Sequence, residues 1–396
     1  MHGLLTLEEA LEHILGRAER LLPEAVTLTE ALGRVVAEPP VARVDLPPFA
    51  SSAMDGFAVR ADETPGTLPI AMKVAAGSPA TATLPAGAAA AIATGGAVPD
   101  GADTVVPVER TTEHDGRVEI KERVQPGSHI RLRGGDVRAG AVVIPSESRV
   151  GAAQIGALAA AGVAEIRCSR RPLVAVLATG SELRAPGETL EAGQIFESNG
   201  AMIAAVLGEV ADVELLPVVR DDEGAHREAL ERGLAADVLV TSGGVSMGPH
   251  DLVRRVAAEL GVEEVFWGVA VKPGKPLSFG VRDKTLVFGL PGNPVSSLVG
   301  ALLFVKPALL ALQGLAHPGP EFGVGRAMSP LRRNPKRDEF FRARRSVDEQ
   351  GVVLEPVAGQ ESHMIVRAAS ADALLHVPRG SGEIARGEVV RYLSLA

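Results

Sequence analysis

The sequence predicts a multidomain α/β protein. A doubly wound, mostly parallel α/β domain is joined to an inserted β-rich domain, a helical linking domain and a C-terminal β-barrel-like domain. Three observations predict it. Between residues 171 and 316, apolar runs of strand length alternate with helical patterns, which implies right-handed βαβ units. Between residues 41 and 146, short β-like runs alternate with Gly- and Pro-rich turns. After residue 317 the β-like pattern returns. A chain of 396 residues accommodates two to four domains with ample core.

The elements follow in order. Thr6 and Glu9 have capping-box spacing, and Leu7, Ala10, Leu11, Ile14 and Leu15 share one helical stripe, so a helix is expected over residues 7–21. A second short helix is expected over 30–35. Residues 1–40 with 147–170 form the linking domain; its later part carries a helix over 150–161 that stops at Gly162. The inserted domain, 41–146, holds β runs at 70–74, 89–92 and 118–120. In the α/β domain, 171–316, strands fit 173–177, 213–219, 238–241, 265–271 and 286–288. Helices fit 200–210, 224–235, 249–260 and 295–312. The C-terminal domain, 317–396, has strand patterns at 323–327, 339–346, 352–356, 373–377 and 389–393. The basic run 332–345 is interrupted by Asp338 and Glu339 and reads as an edge strand with exposed arginines.

Composition narrows the function. Aromatic residues are 3 % of the chain and the net charge is −9, which argues against single-stranded nucleic acid, nucleic acid in general and membrane surfaces as partners. Cys168 is the only cysteine, so neither an intrachain disulfide nor a multi-cysteine metal site can form. The N-terminus lacks a basic stretch followed by an apolar one, and the cytoplasm is the expected location. The longest apolar run, 295–312, contains Ser296, Ser297, Lys306 and Pro307 and reads as a buried helix.

Chemistry concentrates in loops. TSGGVSMGPHD (241–251), KPGKP (272–276) and LPGNPVS (290–296) each follow a strand-like run. Glycine permits positive φ and close backbone approach, and consecutive N–H groups in such turns form an anion-binding concavity. Placed at the carboxyl ends of strands in one α/β unit, these loops describe a crevice for a phosphorylated or oxyanionic ligand. The candidate binding residues are Ser242, Gly243, Gly244, Lys272, Gly274 and Lys275, followed by Pro291, Gly292 and Asn293. Glu182, in TGSEL, also follows a strand. Asp221 and Asp222 follow another, and helix capping is their structural alternative. Carboxylates beside phosphate loops usually hold Mg²⁺, which then bridges to phosphate oxygens. Asp55 lies in SSAMDGFAV, where an Asp-Gly turn is its ordinary reading; Thr94 lies in IATGGAVPDGA and Asp136 in RGGDV.

Taken in order, SAMDGFAV, ATGGAVPDGAD, RGGDV, ATGSEL, TSGGVSMGPHD, KPGKP, GLPGNPVS, KRDEFFR and GQESH closely resemble the molybdopterin molybdenumtransferase family, to which the E domain of gephyrin belongs. The resemblance spans nearly the whole chain. It implies an elongated homodimer of four-domain chains that inserts molybdenum from molybdate into adenylylated molybdopterin, releases AMP and uses Mg²⁺. It also implies functional roles for Asp55, Thr94, Asp136, Glu182, Arg342 and Ser362, for Lys272, and for Asp221 and Asp251 as metal ligands with Asp222 in reserve. Lys275 matches a position that varies in the family. It leaves other proteins of molybdenum-cofactor biosynthesis as partners. The cleft is expected to combine the inserted domain of one subunit with the α/β and C-terminal domains of the other. Gly268 departs from the pattern, because a basic residue is frequent there; Ser181 and Phe57 stand where Asp and Tyr are frequent. The competing readings are a molybdopterin adenylyltransferase, whose fold resembles 171–312 alone, and a non-enzymatic scaffold.

Overall fold

The computed structural model describes residues 3–220, 222–244 and 252–395. Its centre is a six-stranded sheet in the spatial order Asp212–Leu215, Leu173–Ala178, Val238–Ser242, Thr285–Leu290, Ser278–Arg282, Glu263–Trp267. The first four strands are parallel; Ser278–Arg282 pairs antiparallel with both of its neighbours, so Glu263–Trp267 runs in the direction of the first four. Alternate side chains leave a strand on opposite faces. Val174 and Val176 therefore join one core with Ile203, Leu207, Val299 and Phe304. Ala175 and Leu177 join another with Leu230, Leu234, Val253 and Val256. Helices Asn199–Gly208 and Pro294–Gly300 cover the first face; Glu223–Gly233 and Leu252–Glu259 cover the second. This is the doubly wound arrangement expected.

Some readings need correction. The run 265–271 is not one strand: it divides into Glu263–Trp267 in the central sheet and Val271–Lys272, which pairs with Asp338 and Glu339 of the C-terminal region. Ser278–Arg282, which no sequence pattern singled out, fills the gap between Glu263–Trp267 and Thr285–Leu290. Residues 30–35 are turns rather than a helix, because Gly33 takes φ +78° and the buried Arg34 side chain donates to the Ser169 carbonyl at 2.7 Å. The first helix ends early, at Leu7–Leu15, and its buried Leu7, Ala10 and Ile14 pack into the central core; its capping box is present.

The helix Ala152–Ala160 and the antiparallel pair Pro23–Thr27 with Glu165–Ser169 share a smaller core containing Cys168, whose thiol burial pushes up to about 11. Residues within 41–146 form a second six-stranded sheet, ordered Thr104–Pro107, Gly56–Val59, Ala89–Ile92, Gly66–Val74, Arg117–Ile120, Thr111–His114. In the C-terminal region, Asp338–Asp348, Gly351–Pro356, Gly323–Ala327, Val389–Ser394 and Ala373–Val377 pair in a closed ring. Closure removes edges. Asp338–Asp348 is thus paired on both sides instead of forming the expected edge strand, and Arg342 is buried. The apolar segment Pro294–Leu312 is mostly buried in the central core, as a core helix should be.

Candidate active site

The central sheet ends where its loops are richest. In the register, Ala178 lies opposite Ser242 and Ser242 opposite Leu290, so three parallel strands release their loops side by side. Between the loops lies a cleft of about 980 Å³, within the size range of a small-molecule site. Gly243 and Gly244 take φ +95° and +63°, and a Cβ on Gly243 would sit 2.7 Å from the Thr179 carbonyl oxygen, so only glycine permits this crossing.

Much of the predicted binding set meets here. Ser242, Gly243, Gly244, Lys275, Pro291 and Gly292 line the cleft, and Asn293 and Glu182 join them. Lys275 is exposed and makes no ion pair among the described residues. His363 and Ile365 reach the cleft from the C-terminal region.

Other predicted residues do not line it. Lys272 Nζ pairs with Glu339 Oε1 at 2.6 Å, because the Val271–Lys272 strand is bound into the C-terminal sheet. It bolts two units together instead of facing the cleft. Gly274 likewise stands outside the cleft wall. Arg342 is 1 % exposed. Its guanidinium donates to the Gly359 and Met364 carbonyls at 2.7 and 2.9 Å and to Gln360 Oε1 at 3.3 Å. A side chain so enclosed shapes the loop carrying Ser362 and His363 and does not reach a ligand. The Ser362 carbonyl accepts from Val295 N–H at 3.0 Å, which anchors that loop to the LPGNPVS helix.

Asp55 and Thr94 meet each other but not the cleft of their own chain. Asp55 Oδ1 accepts from Thr94 N–H at 2.7 Å and Thr94 Oγ1 at 3.0 Å. The Thr94 amide first, and then its hydroxyl, hold the Asp55 carboxyl below its ordinary value, so it stays an anion. The Asp-Gly step is not a hairpin turn: Gly56 opens a strand, and a Cβ there would lie 2.1 Å from the Val106 carbonyl oxygen. Asp136 precedes Val137, which bridges Leu46, and its N–H donates to the Leu46 carbonyl at 2.9 Å.

Of the expected metal ligands, Asp221 and Asp251 lie outside the described residues. Asp222 serves as the cap of helix Glu223–Gly233, accepting from Ala225 N–H at 2.8 Å, so the capping alternative describes it. Among the described residues no group of three or more His, Cys, Asp or Glu side chains could hold a metal. Gly268, the departure noted above, has φ +92°, a conformation that strains any basic residue placed there.

Sequence reasoning missed Asn199, Glu197 and His226, all of which line the cleft. The polar triplet at 197–199 precedes a predicted helix and looks like ordinary capping; His226 looks like one position on a helical face.

This arrangement has relatives. Residues 5–162 match the family profile of the MoeA N-terminal region (domain I and II), 175–311 a probable molybdopterin binding domain, and 324–395 the MoeA C-terminal region (domain IV). Over 403 residues the chain is 34 % identical to the molybdopterin molybdenumtransferase of Haemophilus influenzae, covering 98 % of both chains. The chain belongs to the molybdopterin molybdenumtransferase family. Molybdopterin molybdenumtransferase 2 of Mycobacterium tuberculosis is 38 % identical over 389 residues, covering 94 % of this chain and 95 % of that relative. Among solved structures, the molybdopterin biosynthesis moeA protein from Pyrococcus horikoshii OT3 superposes with a TM-score of 0.85 at 28 % identity, covering 99 % of this chain and 100 % of that one. The molybdopterin molybdenumtransferases are transferases of molybdenum cofactor biosynthesis, so the family and fold expected from the ordered motifs are the ones found.

Proposed function

We propose that this chain inserts molybdenum from molybdate into adenylylated molybdopterin, with release of AMP, in the cytoplasm. One observation carries the reading: glycine-rich loops from three parallel strands share one cleft with Lys275, which makes no ion pair among the described residues. Such a site binds an anion through backbone N–H groups and one cation. The Gly243–Gly244 and Pro291–Asn293 loops hold the phosphate end of the substrate, and Lys275 balances its charge.

The chemistry asks for proton management. When the dithiol of molybdopterin displaces one oxo group of molybdate, both thiol protons leave with that oxygen as water. Glu182, exposed at the cleft wall, is the group that relays them. Asp55, fixed as a carboxylate by Thr94, orients water or a thiol but does not donate a proton.

The enzyme acts as a homodimer. Asp55, Thr94 and Asp136 do not line their own chain's cleft, and a two-fold pairing brings the inserted domain of one subunit over the cleft of the other. Mg²⁺ belongs to this reading through Asp221 and Asp251. The described residues do not assemble a donor set for it, so no step is assigned to the ion. The test is direct: purified protein is mixed with adenylylated molybdopterin and molybdate. Release of AMP with incorporation of molybdenum supports the function. Adenylylation of molybdopterin, or no turnover with tight-binding substrate present, overturns it.

A further inference from the structure

Asn199 opens the helix Asn199–Gly208 and is 9 % exposed, yet it lines the cleft. It does not cap its helix. Its Nδ2 donates to Ser242 Oγ at 2.9 Å and to the Gly292 carbonyl at 2.8 Å. One amide thus joins two of the anion loops, 43 and 93 residues away in sequence. Its other atom, Oδ1, is buried and accepts no hydrogen bond. A buried amide with one end unsatisfied opposes folding, so its presence here is explained by what the donor end does.

The Gly292 carbonyl can only accept, so it fixes which end of the amide faces the loops. Ser242 Oγ must then be the acceptor from Asn199. A hydroxyl accepting through a lone pair keeps its own hydrogen free to donate elsewhere. At Gly292 the consequence is similar: with the carbonyl turned to Asn199, the N–H of Asn293 on the same planar trans peptide points the opposite way.

We propose that Asn199 is a positioning residue for the anionic ligand: it commits the Ser242 hydroxyl to donate to a phosphate oxygen and sets the orientation of the Gly292–Asn293 peptide. The inference rests on the reading of this cleft as a phosphate-binding site. Asn199 acts through these groups and does not touch the reacting atoms. The role belongs to the amide donor alone, so Leu at this position removes the orphaned acceptor along with the function. Asp at this position reverses the polarity: its carboxylate repels the Gly292 carbonyl and captures the Ser242 hydrogen.

Calorimetric titration with adenylylated molybdopterin tests this on the full-length protein, with Asn199→Leu, Asn199→Asp, Ser242→Ala and the Asn199→Leu/Ser242→Ala pair. The expected result is a dissociation constant weakened about tenfold by Asn199→Leu or Ser242→Ala, the scale of one hydrogen bond at a charged group. Asn199→Asp weakens it further. The double variant falls well short of the product of the two single effects, because both disable the same donor. Asn199→Leu leaves the melting temperature unchanged or higher, which a merely structural role does not allow. Should Asn199→Leu destabilise the fold, Asn199→Asp, which keeps the shape, carries the test. Unchanged binding in Asn199→Asp, or fully multiplicative losses in the double variant, overturns the inference. Lys275→Ala separates the two levels. If Lys275→Ala weakens binding and the Asn199 variants do not, the Asn199 role fails alone. If none of these variants affects binding, the phosphate-cleft reading fails with it.

Discussion

At the carboxyl edge of the central sheet, three parallel strands bring loops distant in sequence onto one cleft. In the inserted domain, Asp55 and Thr94 also meet across 39 residues, but on an exposed surface outside that cleft. The first region is a cleft walled by loops of a single chain. The second is a carboxylate held by an amide and a hydroxyl, away from that cleft. Parallel-sheet topology builds the former within one chain, whereas the latter would be completed by a second surface, which the proposed two-fold dimer would supply.

The contrast can be broken at either end. Gly56→Ala drives a Cβ into the backbone behind Asp55; we expect a loss of about 3 kcal/mol in the inserted domain. Turnover should vanish while nucleotide binding at the cleft survives. Parallel calorimetric and melting measurements check it, and simultaneous loss of binding would join the two regions into one.

Arg342→Ala should cost about 2–3 kcal/mol, because it removes a buried side chain together with the donors of the half-buried Gly359 and Met364 carbonyls. Arg342→Lys should not rescue it, since one ammonium cannot reproduce the planar fork. Denaturant unfolding measures both.

The two lysines of KPGKP sharpen the comparison further. Lys275→Ala should weaken binding of adenylylated molybdopterin by about 1–2 kcal/mol. Lys272→Ala should have less than about half that effect on binding and act on stability through the loss of its pair with Glu339. Equal binding losses would return Lys272 to the cleft.

The smallest effect is expected at the opposite edge of the sheet. Burial alone would raise the Asp237 carboxyl, but Arg170 and the Leu173 N–H together hold it below its ordinary value. A depressed folded-state value stabilises above the ordinary carboxylate range and is lost as pH falls through the folded value. Stability should therefore decline below about pH 4. Asp237→Asn should remove about 1 kcal/mol at neutral pH, discounted for the exposure of Arg170, and flatten that acid limb. Binding at the cleft should be unchanged.

Much of this was legible in the sequence. Alternating strand and helix patterns placed the loops on a common edge, and a residue such as Gly243 or Pro291 announces a turn wherever it stands. What escaped was pairing between distant segments. Nothing local shows that Val271–Lys272 leaves one sheet for another, or that the basic run lies within a closed ring. The same failing hid Arg342, whose charge reads as exposed until three partners from the separate 359–364 loop enclose it. Asn199 was invisible for a related reason: its partners come from two other loops, and no spacing rule connects them.

The central claim, a cleft completed by a second subunit, is tested by complementation. Asp55→Asn and Glu182→Gln chains should each be inactive as homodimers. In a mixed dimer one site collects both substitutions and the other neither. Random co-assembly gives about half heterodimers, so roughly a quarter of all sites are intact. The account predicts recovery of molybdenum insertion near that fraction after co-refolding. Persistent inactivity, with heterodimers confirmed by native mass spectrometry, would place Asp55 and Glu182 in one subunit's site and contradict it.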